Sequence, residues 1–171
     1  MKRRMSAIFL ALVLVLGLCL ATTLPVTAKN PPDNKPVAWV NSGSNSNHNP
    51  GAHSSEAVSV KLLSDGTTVG KVIAHNMDTG VREFGNTFDQ TETLFYRDGE
   101  SKIAVFAVYM HQEPSGLEYE MRFTLVDNGE GKNSDPDTLM LEFWAGTWIP
   151  LSLEPIALTN GNNQVHLPDE D

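Results

Sequence analysis

Four acidic side chains and two asparagines fall within VDNGEGKNSDPDT (126–138), and Asp127, Asn128, Glu130, Asp135 and Asp137 present side-chain oxygens at a density that suits calcium. A calcium ion takes about 6–8 oxygens at roughly 2.4 Å, and this loop can supply several of them. The spacing departs from that of helix–loop–helix calcium loops, because Gly129 and Gly131 stand where alternate oxygen ligands belong. The competing reading is a solvated, Asx-capped connection between two strands, with the glycines and Asn128 in tight turn positions.

A second constellation lies in HQEPSG (111–116), where His111 and Glu113 stand two residues apart. On a strand that spacing puts both on one face, as a small hydrolase or a metal-dependent enzyme would need. No third ligand stands at a recognisable distance along the chain, and there is no Gly-x-Ser-x-Gly elbow, phosphate-binding Gly-rich loop or His-Glu-x-x-His. The other reading is a pair of polar residues beside a Pro-Gly turn. His48 and His53, five residues apart in a polar segment, read as solvated.

The elements that must position these residues begin after an export signal. MKRR supplies a cationic start, AIFLALVLVLGLCLA an apolar run, and LPVTA a small-residue processing site that predicts cleavage after Ala28. Cys19 follows the apolar run as in a lipoprotein signal, but Leu18 occupies a position that needs a small residue. With cleavage after Ala28 the mature chain has no cysteine, hence no disulfide, thiolate nucleophile or thiolate metal site. No second apolar run long enough to span a bilayer follows, so the expected destination is secreted or extracytoplasmic.

The formal net charge is −9, and removal of Lys2, Arg3 and Arg4 with the signal leaves 9 basic residues against 21 acidic, about −12. Nucleic acid and anionic lipid are poor partners for such a chain. An exported or envelope partner, and a monomeric state, are the expectations.

Residues 29–56 are rich in Asn, Ser, Pro and Gly and read as a flexible polar arm, with Trp39 folding back onto the domain. From Ala57 to Leu167 short β-type runs alternate with turn signals. AVSVKLL and LEYEMRFTLVD show strand periodicity, SDGTT and DGES read as turns, KIAVFAVYM is apolar on both faces as in a central strand, and TLMLEFW, IPLSLEPIAL and GNNQVHL supply the rest. The expected fold is all-β, a single antiparallel β-barrel or barrel-like sandwich of about eight to nine strands, with an acidic tail at 168–171.

Three segments carry a resemblance: GKVIAHNMDTGVREFG (70–85), YEMRFTLVDNGEGKNSDPDTLML (119–141) and LTNGNNQVHL (158–167). Their order resembles the post-COAP-1 domain of bacterial secreted proteins, over roughly residues 57–167. Gly131 replaces a proline of that pattern, KNSDPD lengthens the loop, and the closing GGNI becomes NGNN. The resemblance implies export, an all-β fold and structural hydrogen-bonding roles for His75 and His166, and no reaction. A non-catalytic exported β-domain with a binding or surface-association role is therefore the leading expectation, with a hydrolase or metal enzyme built on His111 and Glu113 as the alternative.

Overall fold

The computed structural model describes residues 34–49, 52–130, 134–158 and 161–168. The signal segment, the start of the polar arm and most of the acidic tail lie outside them. Ten strands follow in chain order: β1 (Pro36–Asn49), β2 (Ala52–Leu63), β3 (Thr68–Asn76), β4 (Arg82–Asp98), β5 (Ser101–Glu113), β6 (Leu117–Asp127), β7 (Thr138–Trp144), β8 (Trp148–Pro150), β9 (Ile156–Ala157) and β10 (Asn162–His166). All pair antiparallel in one sheet of order β10-β1-β2-β3-β4-β5-β6-β7-β8, with β9 attached to β7. Among the described residues no helix is long and apolar enough to cross a membrane.

The sheet is open, which corrects the expected barrel or barrel-like sandwich: its end strands β10 and β8 do not pair with one another. β10 does come against β5 and β6. However, the backbone N–H groups of Asn163 and Val165 donate to the carboxylates of Asp137 and Asp127, not to another strand. Side-chain oxygens take the place of ladder carbonyls along this seam, so the edge is satisfied without a closing strand pair.

The polar arm is also corrected, because its residues 36–49 form β1, paired with β2 along its length and with β10 on its other side. Its short apolar piece explains the docking: Ala38 and Val40 are fully buried. On the opposite face Trp39 stacks on His166 at 4.4 Å between ring centroids. Backbone pairing here does not need apolar residues at every second position, since Ser42 and Ser44 are buried in the row that continues Val40.

The strand count exceeds eight or nine for the same reason, and because IPLSLEPIAL does not form one strand. Pro150 and Pro155 remove backbone donors, so only Trp148–Pro150 and Ile156–Ala157 form strands, and after Leu151, whose N–H still donates to the Leu141 carbonyl at 2.8 Å, the chain bends through Glu154. Leu153 is consequently 96 % exposed.

One face of the sheet gathers into the core: Val40, Val58, Val60 and Val72 from β1–β3, Phe88 from β4, Phe106, Val108 and Met110 from β5, and Met121, Phe123, Leu125, Leu139 and Leu141 from β6 and β7. Phe106 and Phe123 stack with centroids 5.4 Å apart. β5 lies between β4 and β6 deep in the order, and burial of Ile103 and Ala107 on its other face accounts for its two apolar faces. Gly70 in β3 is required by geometry, because at φ +152° a Cβ would meet the Ser59 carbonyl oxygen at 2.1 Å.

Candidate functional site

The acidic loop between β6 and β7 works as a clamp. Asp137 Oδ1 accepts the Asn128 N–H at 2.9 Å and its Oδ2 the Asn163 N–H at 2.6 Å. Asp127 divides its oxygens likewise, between the N–H groups of Gly129 at 2.9 Å and Val165 at 3.0 Å. Asn128 donates to the Pro136 carbonyl and accepts from Ser101 Oγ, and Glu130 accepts from Asn162 Nδ2. Asp135 is exposed.

For the calcium reading of Asp127, Asn128, Glu130, Asp135 and Asp137 the geometry supplies no assembled site: among the described residues no group of three acidic or histidine side chains is arranged to hold a metal ion. The Asp127 and Asp137 carboxylates are turned toward backbone N–H groups, and the oxygens of Asn128 and Glu130 toward Ser101 and the Asn162 side chain. The Asx cap of the competing reading is present at Asp127, but the loop is more than a solvated connection. Burial pushes the Asp137 carboxyl upward, the N–H groups of Asn128 and Asn163 pull it back down, and the charges of Asp127 and Glu130 raise it further.

Asn163 completes the seam. Its side-chain amide donates to the carbonyls of Val126 and Thr138 at 3.0 Å each, so one residue of β10 ties the end of β6 to the start of β7.

His111 and Glu113 lie on the face of β5 opposite the core. His111 is registered between Phe84 on β4 and Glu118 on β6, with Nδ1 3.7 Å from Glu118 Oε1 and its ring 5.0 Å from that of Phe84. Glu113 is registered against Arg82. A shallow depression of about 490 Å³ opens here, lined by Phe84, Asn86, Thr87, Tyr109, His111 and Glu118, and Glu113 does not line it. His75 is registered against Arg82 and Ser55, and Asn47 against His53; the side chains of His48 and His53 lie outside the described residues.

The larger cavity is on the core side. A cleft of about 590 Å³ is lined by residues of β2 to β7 and of the Leu151–Ile156 segment. Met110, Met121, Phe123, Leu141 and Phe143 make it predominantly apolar. Three of its polar groups, Glu56, Glu83 and Gln112, come from one lateral row, since Ser44, Glu56, Ala74, Glu83, Gln112 and Leu117 are directly registered across β1 to β6. Directly opposed residues of antiparallel strands share a face, so this row forms a polar belt above the apolar floor.

The belt carboxylates accept from neighbouring hydroxyl and amide groups. Glu56, only 6 % exposed, accepts Ser44 Oγ at 3.0 Å and Ser54 Oγ at 2.8 Å. Glu83 Oε1 accepts Gln112 Nε2 at 2.8 Å, and the Tyr119 hydroxyl donates to the same carboxylate. Ser115 Oγ donates to Gln112 Oε1 at 2.8 Å, which fixes the orientation of that amide. Burial first, and the Glu83 hydrogen bond and charge second, push the Tyr119 phenol far above its ordinary range.

Sequence reasoning passed over this site. Glu56 lay inside the supposed arm, and Glu83 entered only as part of the 70–85 segment that carries the resemblance. The available signal was the period-2 register of Ser54, Glu56, Val58 and Val60, which places a carboxylate in line with core valines. No family model, curated protein or solved structure matches the chain, so function rests on geometry.

Proposed function

We propose that this chain is an exported, non-catalytic β-domain that binds an apolar ligand in the cleft lined by β2 to β7 and the Leu151–Ile156 segment. The observation that carries this reading is the cleft: about 590 Å³ of mostly apolar wall with a few fixed polar groups, Glu56, Glu83, Gln112 and Tyr119, converging on one level. Small-molecule sites have this composition, apolar area supplying affinity and a few placed polar atoms fixing orientation. The three-part signal at residues 1–28 supports export, and the resemblance to post-COAP-1 domains of secreted proteins agrees with it.

His111 takes no part in this reading. Its neighbours are Phe84 and Glu118, and Glu113 stands outside the depression that His111 lines. An exported or envelope component is the expected source of the ligand, and the domain acts as a monomer.

An uncharged solvatochromic dye such as Nile red tests the cleft. The wild type takes up one equivalent with a blue-shifted emission, and Ala74→Trp in the floor of the belt, or Leu117→Trp at its rim, abolishes uptake while far-UV circular dichroism is unchanged. Uptake that both variants leave intact refutes the cleft as the binding site.

A further inference from the structure

We infer that the cleft selects ligands that join an apolar body to a protonated or quaternary amine, with the Glu83 carboxylate receiving the cation. This rests on the cleft being a binding site and adds the sign of the ligand's charge.

Glu56 and Glu83 are the charged groups of the lining, and among the described residues that line the cleft there is no Lys, Arg or His. The two glutamates sit on either side of Ala74 in register, two strand spacings apart, so their backbones are separated by roughly 10 Å. The methyl group of Ala74 leaves the space between them open. A ligand head group at belt level therefore meets the Glu83 carboxylate.

Glu83 has acceptor capacity to spare. A carboxylate offers about four lone-pair sites, and Gln112 Nε2 and the Tyr119 hydroxyl occupy two. Both donors are neutral, and among the described residues no cation lies against Glu83. An apolar ligand lacking a cation would cover this carboxylate and strip its water without replacement, which is costly for an ionised group. An anionic head group would add repulsion. An ammonium group supplies the missing donors and the opposite charge in the same place, while its apolar body lies on Met110, Met121 and Phe123 below the belt.

The test is calorimetric titration of the full mature chain with octylammonium, octanol and octanoate, which share one tail and differ in head-group charge. Octylammonium should bind about tenfold tighter than octanol, the effect of one charge-assisted hydrogen bond, and octanoate should not bind measurably. Glu83→Gln keeps an acceptor for Gln112 and removes the charge. It should bring octylammonium down to the affinity of octanol, with the far-UV circular dichroism and thermal transition of the wild type retained as evidence that the variant is folded. Equal affinity for octylammonium and octanol, or a preference for octanoate, overturns the charge selectivity and leaves the apolar site standing. Failure of all three to bind overturns both.

Discussion

Replacement of Asp137 by alanine tests the clamp that stands in for a closing strand pair. The substitution removes two charge-assisted hydrogen bonds to backbone N–H groups, at 2.9 Å from Asn128 and 2.6 Å from Asn163. Such bonds are worth about 1.5–3 kcal/mol each. Asn163 is 1 % exposed, so water cannot replace the carboxylate there. Part of the loss is returned, because Asp137 is itself buried beside the charges of Asp127 and Glu130, the effects that raise its carboxyl. A net cost of about 2–3 kcal/mol remains. For a folded unit spanning Asn34–Asp171 this is a fall in Tm of roughly 8 °C. Differential scanning calorimetry measures it, with Asp135→Ala from the same loop as the control, since Asp135 is exposed and its loss should stay within about 0.5 kcal/mol. Asp137→Asn should recover at most half of the loss, because an amide offers one acceptor oxygen and turns an N–H toward a donor. A Tm for Asp137→Ala within about 2 °C of the Asp135→Ala value would refute the reasoning.

Calcium at millimolar concentration should leave the wild-type Tm where chelator leaves it, and a calcium-dependent rise would restore the loop as a metal site. Tyr119, whose phenol is raised by burial and by Glu83, stays protonated in the folded chain at pH values where the unfolded chain ionises. Its contribution is therefore full below about pH 10 and is lost as pH rises beyond it, so the denaturant midpoint should fall more steeply from pH 9 to pH 11 in the wild type than in Tyr119→Phe. Gly70→Ala should cost at least about 2 kcal/mol in chemical denaturation, through its φ of +152° and the contact of the new Cβ with the Ser59 carbonyl. The intact mass of exported protein should correspond to a chain starting at Lys29; an acylated chain starting at Cys19 would contradict cleavage after Ala28.

The strands with period-2 patterns were legible, and the connections between patterns were not. Val58, Val60 and Leu62, or Met121, Phe123 and Leu125, announce their faces because burial is paid in apolar area at every second residue. β1 escaped because its buried row passes from Ala38 and Val40 to Ser42 and Ser44, whose hydroxyls are small enough to be buried when bonded. Ser44 in turn bonds Glu56, another residue read as arm. The open sheet was beyond reach for a different reason. Alternation is the same whether the last strand pairs with another strand or with two aspartates, and only the long-range contacts of Asp127 and Asp137 with Val165 and Asn163 decide it. The acidic loop drew attention as a place of concentrated chemistry, and it is one, but its two aspartates spend their oxygens on backbone N–H groups of the loop itself and of β10. The cleft was invisible because its charged members come from β2 and β4, more than twenty residues apart, and meet through the register of β3.

Two-dimensional ¹H–¹⁵N spectra recorded while octylammonium is titrated into the labelled mature chain test the binding cleft most directly. The predicted result is saturable shifts at Ala74, Glu83, Gln112 and Tyr119 and along the facing Leu141–Phe143 segment, with His111, Phe84 and the Asp127–Asp137 clamp unmoved. Shifts centred on His111 and Glu118, or no saturable shift at the cleft, would contradict it.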